Sequence, residues 1–336
     1  MPLNPAVGID LGTSNVLVHV QGRGIVLREP SVVALDKVKN KVLAIGEPAR
    51  EMLGRTPANI VAVRPVVDGV IASYTVTVQM LAFILRKVRG ANRLFKPHVL
   101  LAVPSGASDV QTRAVRQAAL GAGAGRAETI EEPMAAALGA GLPIASAGGN
   151  MVVDLGGGTT DIAVISLDGV VVSRSLPVGG FKLDEVISRH VKVAHNISIG
   201  ERAAEEVKIA VGSAAPLERE ASYEVRGRDS ITGLPRSATL TSIEVRDALS
   251  EPVSQILQRI KAVLEKTPPE LVADIMERGV TLTGGGALLR GLDRLILQEI
   301  NVPAKIAADP ISCVALGAGC ALVERRGITE DAALAG

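Results

Sequence analysis

Two aspartates in this sequence each follow a short apolar segment and precede a turn of glycines and small polar residues. Asp10 comes before Leu11-Gly12-Thr13-Ser14-Asn15, and Asp154 comes before the segment Leu155 to Thr160. Glycine permits the tight backbone of such turns, so their N–H groups can point into a common space and bind phosphate oxygens. The phosphate-binding candidates are therefore Gly12, Thr13, Ser14, Asn15, Gly156, Gly157, Gly158, Thr159 and Thr160.

The two aspartates themselves could serve either of two purposes. A carboxylate at the end of a buried strand is costly unless something compensates its charge. Asp10 and Asp154 could each cap their own turn, as Asp residues often do. Alternatively, they could face a shared Mg²⁺, through water because Mg²⁺ keeps much of its hydration shell. The repetition of the whole turn favours the magnesium site.

A third glycine turn, Gly284-Gly285-Gly286, follows the apolar strand predicted at Val280–Thr283. We expect it to open a helix over residues 287–299, whose N-terminus would favour the negative charge of a nucleotide. Neither a Walker A lysine motif nor the fingerprint G-x-G-x-x-G accompanies the three turns, which argues against P-loop and nicotinamide enzymes. Together the turns predict a nucleotide cleft between two halves of the chain.

Hydrolysis of a nucleotide needs a group that orients the attacking water. The segment Glu131-Glu132-Pro133 is the best candidate source of that group. Pro133 is predicted to begin a helix that runs to residue 142, so Glu132 would lie at its N-terminus. An acidic residue there is also stabilised by the helix dipole without any catalytic role. The spacing alone leaves both interpretations open.

The elements that must position these groups alternate between strands and helices. Apolar runs at residues 7–10 and 16–20 predict a hairpin around the first turn, and runs at 151–154 and 162–165 predict its copy 144 residues later. Helices are predicted at residues 75–89, 107–121 and 242–265, with a strand at 99–103. A last helix is predicted to start with Asp309 as N-cap and Pro310 at its first position. The alternation indicates an α/β fold.

Composition narrows the function classes. Lys and Arg total 36 against 35 for Asp and Glu, so the basic excess typical of a nucleic-acid binder is absent. Residues 1–5 lack the charged and apolar regions of a signal peptide, and no apolar run reaches the roughly 18 residues that a membrane-spanning helix needs. We therefore expect a cytoplasmic protein without a nucleic-acid partner.

These motifs, and several others in the same order, are similar to those of the bacterial actin family of MreB type, over nearly the whole chain. Phosphate turns alone would also fit chaperone ATPases and sugar kinases, but the ordered series of longer motifs is specific. The stretches that carry the resemblance are Gly8-Ile9-Asp10-Leu11-Gly12-Thr13, Glu29-Pro30-Ser31-Val32, Arg64-Pro65 with Asp68-Gly69-Val70-Ile71-Ala72, residues 130–137, residues 149–160, Gly200-Glu201-Arg202 with Ala204-Glu205-Glu206, Thr267-Pro268-Pro269-Glu270-Leu271 and residues 282–291.

The resemblance implies an actin-like α/β fold, in which two RNase H-like halves enclose a nucleotide cleft and each carries a smaller inserted subdomain. The division that it implies is residues 1–32, 65–142 and 310–336 for subdomain IA, 33–64 for IB, 143–181 and 242–309 for IIA, and 182–241 for IIB.

The resemblance also implies a weak ATPase that binds ATP or ADP with Mg²⁺ and polymerises into filaments, with paired protofilaments expected. By position, Glu132 corresponds to the residue that activates the attacking water, and Glu205 and Lys208 to the family's nucleoside contacts. Members of the family bind the inner face of the cell membrane and work with the cell-wall elongation machinery to maintain rod shape. We expect the same partners here.

Membrane attachment in this family uses an amphipathic N-terminal helix, an apolar loop, or both. Only six residues precede the first predicted strand, so we expect the loop to serve. It is Arg93-Leu94-Phe95-Lys96, in which two large apolar residues lie between two cations. That composition suits shallow insertion among anionic lipid headgroups. The alternative is that Leu94 and Phe95 pack into the core.

Two positions depart from the family pattern. Asp161 stands where the family usually has Glu, and Phe181 where it usually has an acidic residue, which leaves the rate of hydrolysis open.

The main alternative function is a small-molecule kinase of the same fold, although no further acidic motif for a sugar-sized pocket is evident. A chaperone ATPase would need a long C-terminal peptide-binding domain, for which the chain ends too early.

Overall fold

The computed structural model describes residues 6–39, 41–89 and 96–334, with side chains up to residue 324. The strands are β1 (Ala6–Leu11), β2 (Asn15–Val20), β3 (Gly24–Pro30), β4 (Val33–Asp36), β5 (Lys41–Ile45), β6 (Ile60–Val63), β7 (Val66–Val67), β8 (Val70–Ile71), β9 (His98–Val103), β10 (Arg126–Glu131), β11 (Asn150–Leu155), β12 (Thr160–Ser166), β13 (Gly169–Leu176), β14 (Ile197–Ser198), β15 (Ser222–Asp229), β16 (Pro235–Thr241), β17 (Val280–Thr283) and β18 (Ala304–Ile306).

The α-helices are α1 (Glu47–Arg50), α2 (Tyr74–Arg89), α3 (Asp109–Gly121), α4 (Glu132–Gly139), α5 (Gly180–His195), α6 (Glu201–Val211), α7 (Ser242–Leu264), α8 (Pro269–Arg278), α9 (Leu292–Ile300) and α10 (Cys313–Leu334). Within the described residues, no helix combines the length and apolarity needed to cross a membrane. Most predicted strands and helices lie within two residues of these bounds.

Two five-stranded sheets repeat one topology, as the duplicated turns predict. The first has the order β10-β9-β1-β2-β3 and the second the order β18-β17-β11-β12-β13. In each, the strand that ends in the key aspartate pairs antiparallel with the next strand and parallel with a later one. Parallel neighbours require a crossover connection, which helices supply in both halves. The repeat therefore places the ends of β1 and β11 at corresponding positions.

Two smaller sheets lie in the segments predicted as insertions. Strands β4, β5 and β6 form one within residues 33–64, and β14, β15 and β16 form the other within residues 182–241. The first sheet buries Val33 against the core of the first half and Ala34 in a small cluster of its own, and the second sheet buries Val225 and Leu240 in the core of the second half. The exact subdomain boundaries stay a prediction.

The two halves meet along helices α4 and α10. Their side chains join residues of both large sheets in one buried cluster, which includes Leu100 of β9 and Val152 of β11. The helices approach so closely that a Cβ on Gly317 would lie 1.7 Å from the Ala135 carbonyl oxygen. Glycine is therefore required there, and the cleft lies above this packed base.

The last two helices begin later than the sequence predicts. Residues 285–288 form a short 3₁₀ helix, and α9 starts only at Leu292, because Leu289 is extended and Gly291 has a φ of 73°. The prediction of one continuous helix over residues 287–299 was wrong. The prediction for Asp309 and Pro310 was also wrong, since both lie in a turn before α10, whose first turn hydrogen-bonds to Ser312.

Candidate functional site

A cavity of about 440 Å³ lies in the cleft between the two large sheets. It is lined from both halves, since the ends of β1 and β11 open onto it from opposite sides. The predicted site residues that line it are Asp10, Gly12, Thr13, Ser14, Asn15, Glu132, Asp154, Gly156, Gly157, Gly158, Thr159, Glu205, Lys208, Gly284, Gly285 and Gly286. Asp10 and Asp154, which are 144 residues apart in the sequence, thus line the same cavity.

Thr160 does not line the cavity, although it was predicted as a phosphate contact. Its side chain is fully buried, and its hydroxyl donates a hydrogen bond of 2.6 Å to the Val178 carbonyl. As the first residue of β12, it points away from the turn because successive strand side chains alternate between faces. Its hydroxyl therefore joins β12 to the segment that follows β13, and it does not offer a donor to a ligand.

The turns of the two hairpins touch each other across the cleft. A Cβ on Gly157 would lie 2.7 Å from the Ser14 Cβ, and one on Gly158 would lie 2.9 Å from the Thr13 Oγ1. Neither position has room for a side chain. The first turn thus presents hydroxyls and the second turn bare backbone, and the two fit together.

The third turn closes the same cavity with a different local structure from the one predicted. Gly284 has a φ of 77°, and a Cβ there would lie 2.3 Å from the Leu155 carbonyl oxygen, so the turn packs directly on the second hairpin. Gly285 has open space around its Cβ position. The following 3₁₀ helix spans only four residues, so the third turn does not begin the long helix that was expected to favour the negative charge of a nucleotide.

Four carboxylates gather at the base of the cavity. Burial and then Asp154 raise the pKa of Asp10 to about 8, while burial and then Asp161 raise the pKa of Asp154 to about 7 despite a hydrogen bond from the Thr283 hydroxyl. The pKa of Glu132 is raised well above its ordinary value by burial and by Asp161, Asp10 and Asp154. Such a concentration of negative charge needs compensation.

A hydrated divalent cation fits this donor set. The Oδ2 atom of Asp161 is buried with no hydrogen-bond partner among the described residues. Oxygen ligands with several retained waters are what Mg²⁺ prefers. Asp10 and Asp154, one from each half, would be the carboxylates that share it.

Asp161 also links the two halves, through a residue that the sequence did not single out. The Ser105 backbone N–H donates to Asp161 Oδ1 at 3.0 Å, and the Ser105 hydroxyl donates to Glu131 at 3.0 Å. Ser105 follows β9, which runs parallel to β1. The carboxyl ends of parallel strands share one edge of a sheet, and that rule could have identified Ser105.

Lys208 is held on the opposite wall by a partner that sequence reasoning also missed. Its Nζ lies 2.8 Å from Asp184 Oδ1 and donates to the Gly180 carbonyl at 3.1 Å. Burial raises the pKa of Asp184 to about 6, and Lys208 opposes that rise. The ammonium group is therefore fixed beside the start of α5, next to the second phosphate turn.

Phe181, the second departure from the family pattern, lies at the mouth of the cleft. The Arg64 guanidinium lies 4.2 Å from its ring centroid and also pairs with Glu201. The Phe181 backbone N–H donates to the Gly157 carbonyl at 2.9 Å. Phe181 thus connects the second turn to a residue of the opposite half. Leu94 and Phe95, the predicted membrane contacts, lie outside the described residues.

Comparison with known proteins identifies relatives over almost the full length. Residues 4–330 match the family described as MreB/Mbl protein. The chain is 52% identical over 316 residues to the cell shape-determining protein Mbl of Bacillus subtilis (strain 168), covering 94% of this chain and 95% of that protein. It is 51% identical over 322 residues to the cell shape-determining protein MreB of Escherichia coli (strain K12), covering 94% and 92%.

Solved structures show the same similarity. MreB5 of Spiroplasma citri bound to ADP is 39% identical, with a TM-score of 0.92 and 98% of both chains covered. The same protein bound to AMPPNP has a TM-score of 0.93, with 98% of this chain and 99% of that chain covered. A MamK double helical filament, at 23% identity, has a TM-score of 0.81 over 96% of this chain and 99% of that chain, a likeness of fold.

Proposed function

This chain belongs to the MreB/Mbl family and has its actin-like fold, and on that premise we propose that it binds and slowly hydrolyses ATP and polymerises into membrane-associated filaments. The filaments would organise cell-wall synthesis and so maintain rod shape. The observation that carries the proposal is the pair of interlocking turns, one from each half, around a single cavity.

Each wall of the cavity has a distinct task in this proposal. The backbone N–H groups of the two turns, with the hydroxyls of Thr13, Ser14 and Thr159, bind the phosphates. Gly285, whose Cβ position is open, allows the nucleoside end to approach the backbone of the third turn. Glu205 and Lys208 hold the nucleoside from α6.

The carboxylates at the base divide the remaining work between them. Asp10 and Asp154 would hold Mg²⁺ through its water ligands, and the cation would offset the charge of the phosphates. Glu132 would orient the attacking water and accept its proton. Its position at the start of α4, beside the aspartates of both halves, supports this role.

Solved structures of relatives support the nucleotide part and the self-association part of the proposal separately. Structures of MreB5 of Spiroplasma citri contain ADP or AMPPNP, and MamK, a protein of the same fold, forms a double helical filament. A cleft whose walls come from two halves can change its closure with the nucleotide bound, which is how binding can be coupled to assembly. The near balance of charge on this chain also leaves little self-repulsion to oppose polymerisation.

Sedimentation with and without ATP tests the proposal directly. We expect the purified chain to pellet with ATP and Mg²⁺ and to remain in the supernatant without nucleotide, with filaments visible by electron microscopy on a lipid monolayer. A chain that stays monomeric at high concentration with ATP and lipid would contradict it. ATP turnover that depends on an added sugar would instead support the kinase alternative.

The membrane contact needs a separate test, because it depends on residues 94 and 95 alone. Replacing Leu94 and Phe95 with Ser should abolish co-flotation with anionic liposomes while leaving filaments intact. The matched control replaces Ile231 and Leu234, two exposed apolar side chains of the β15–β16 hairpin, with Ser. Equal flotation of the Leu94/Phe95 variant and the wild type would exclude this loop as the contact. Two side chains per subunit bind weakly, so the test is best made with polymer.

A further inference from the structure

Two of the four histidines in the chain converge on one carboxylate, and none of the three residues lines the nucleotide cavity. His190 Nε2 lies 2.9 Å from Glu244 Oε1, and His195 Nε2 lies 2.5 Å from the same oxygen. Within the described residues, this is the one group of three or more His, Cys, Asp or Glu side chains whose ligand atoms all lie within 4.8 Å of one another. The proposed function uses none of these residues.

The donor set has a defined chemical preference. Two imidazole nitrogens and one carboxylate oxygen form the three-ligand set that Zn²⁺ accepts with a water in its fourth position. Magnesium and calcium prefer oxygen donors, so the histidines disfavour them. We propose that His190, His195 and Glu244 form a binding site for Zn²⁺ or a similar borderline divalent cation.

The helices hold the three side chains in place. His190 and His195 lie on α5, and His195 is its last residue, after which Asn196 adopts a left-handed conformation and ends the helix. A helix C-terminus carries partial negative charge and favours a cation nearby. Glu244 lies in the first turn of α7, where its backbone N–H donates to the Thr241 hydroxyl at 3.2 Å. Rigid elements thus supply all three ligands.

The site is accessible and has nearly the right dimensions. The three side chains are 31%, 26% and 23% exposed, so an ion could enter while most of each side chain stays packed. Zinc–nitrogen bonds of about 2.1 Å separate tetrahedral ligands by about 3.4 Å. The distances from the two histidine Nε2 atoms to Glu244 Oε1 are shorter than this, because these atoms are hydrogen-bonded. A small outward movement of Glu244 would admit the ion.

The position of the site indicates what an ion would restrain. The segment that carries β14, β15 and β16 leaves α5 just after His195 and reaches α7 just before Glu244. The three ligands therefore lie where that segment begins and ends. The other end of the 16-residue α5 begins at the second phosphate turn, where the Gly180 N–H donates to Gly156 at 3.0 Å. The site is distinct from the nucleotide cavity.

Competition with a chromophoric zinc chelator tests the site on the full-length, chelator-treated protein without nucleotide. The wild type should bind one equivalent of Zn²⁺. His195→Gln and Glu244→Gln should each weaken binding by more than the ~100-fold that loss of an outer partner costs. His98→Gln is the matched control, because His98 Nε2 also lies 2.8 Å from a carboxylate, that of Glu128. It should bind like the wild type.

A cobalt spectrum and a thermal melt separate this site from adventitious binding. Co²⁺ should give visible d–d bands without the near-ultraviolet thiolate band that Cys313 or Cys320 would produce. Zn²⁺ should raise the melting temperature of the wild type and of His98→Gln, but not of Glu244→Gln. No binding by the wild type, a thiolate band, or equal affinity in the folded Glu244→Gln variant would overturn the proposal.

Discussion

The two hairpins that begin each half of the molecule share their topology but not their chemistry. In the first, Thr13 and Ser14 carry hydroxyls into the cleft, whereas the second has Gly157 and Gly158 at the corresponding positions. The side chains of one turn occupy the space that the other leaves empty. Duplication thus supplied two phosphate turns, and divergence made them complementary rather than identical.

A second difference lies in the paired strands next to each turn. Asp10 pairs across its hairpin with Leu17, but Asp154 pairs with Asp161 at the equivalent register. Both partners are buried. At this pair of strand positions, the first half therefore contributes one acidic side chain and the second half contributes two. The charge that raises the pKa of Glu132 comes mainly from the second half, although Glu132 belongs to a helix of the first.

Removing Glu132 should produce the largest effect. We expect Glu132→Gln to lower the rate of ATP hydrolysis by about 10²- to 10⁴-fold, because that is the usual contribution of a general base. ATP affinity should change little, because the phosphate turns stay intact. Single-turnover phosphate release, with nucleotide affinity measured by fluorescence, checks both. Unchanged hydrolysis would exclude Glu132 as the base.

Glu131→Gln is the control for that experiment. Glu131 is exposed and accepts the Ser105 hydroxyl at 3.0 Å, which a Gln oxygen can still do. It should hydrolyse ATP at the wild-type rate. A loss as large as that of Glu132→Gln would point to a general effect of charge in this segment.

The aspartates should differ in how they make stability depend on pH. A carboxyl whose pKa is raised on folding destabilises the folded state as it ionises, so stability without nucleotide and Mg²⁺ should fall with rising pH. The window runs from about 4 to about 8 for Asp10 and from about 4 to about 7 for Asp154. Each contributes a slope of up to about 1.4 kcal/mol per pH unit.

Asn substitutions and urea denaturation across that range separate the two contributions. Asp10→Asn should flatten the slope up to about pH 8, and Asp154→Asn should flatten it only up to about pH 7. Exposed Asp247→Asn is the control and should leave the slope unchanged. Both cleft variants should also lose stabilisation by Mg²⁺ and ATP. A wild-type stability that rises from pH 4 to 8 would contradict the prediction.

Two glycine substitutions should have different effects on stability and on nucleotide affinity. One is in the second turn, which packs against the first turn, and the other is in the third turn, which faces the cavity. Gly158→Ala places a Cβ 2.9 Å from the Asp68 Cα, so we expect a loss of about 1–3 kcal/mol in stability without nucleotide. Gly285→Ala meets open space, so its stability should match that of the wild type. Its nucleotide affinity should nevertheless fall about tenfold, or about 1.4 kcal/mol.

Thermal melts without nucleotide and fluorescence titration with nucleotide measure the two effects separately. Gly22→Ala is not a suitable control, since its φ of 74° strains any side chain. Gly200→Ala serves better, because no atom lies within 4 Å of its Cβ position and it lines a different cavity. Equal nucleotide affinity in Gly285→Ala and Gly200→Ala would argue against a ligand at the third turn.

The parts of the fold that were predictable from the sequence are those that local chemistry determines. An apolar run that ends in Asp-Leu-Gly predicts a strand that enters a tight turn, and the repeat after 144 residues indicates two equivalent halves. The start of α3 is local in the same way, since Ser108 and Gln111 form a capping box. These elements depend on neighbours a few residues away.

What could not be predicted depends on residues distant in sequence. Ser105 reaches Asp161 across 56 residues, and His195 reaches Glu244 across 49, so no local spacing reveals either contact. The break before α9 also eluded the sequence pattern, because residues 287–299 keep helical apolar spacing through a left-handed Gly291. Tertiary packing of the third turn on Leu155 overrode that periodicity.

Replacing Asp161 tests whether the extra carboxylate of the second hairpin matters for hydrolysis, and it should have the smallest effect. Asp161→Asn removes a charge but keeps an oxygen for the Ser105 N–H, so the fold should persist. Asp161 helps to raise the pKa of Glu132. In a plot of the ATP hydrolysis rate against pH, the limb that depends on ionised Glu132 should therefore move to lower pH. The maximal rate should change less than about tenfold, because the base stays in place.

The control is Asp161→Glu, which keeps the negative charge and should leave that limb where the wild type has it. Phosphate release measured across the pH range in excess ATP and Mg²⁺ compares the three proteins. If Asp161→Asn leaves the limb unmoved, Asp161 acts through its bond to Ser105 alone, and the second hairpin differs from the first in how it joins the halves rather than in charge. If only Asp161→Asn moves it, the extra acid of the second hairpin sets the pH at which a base from the first half can work.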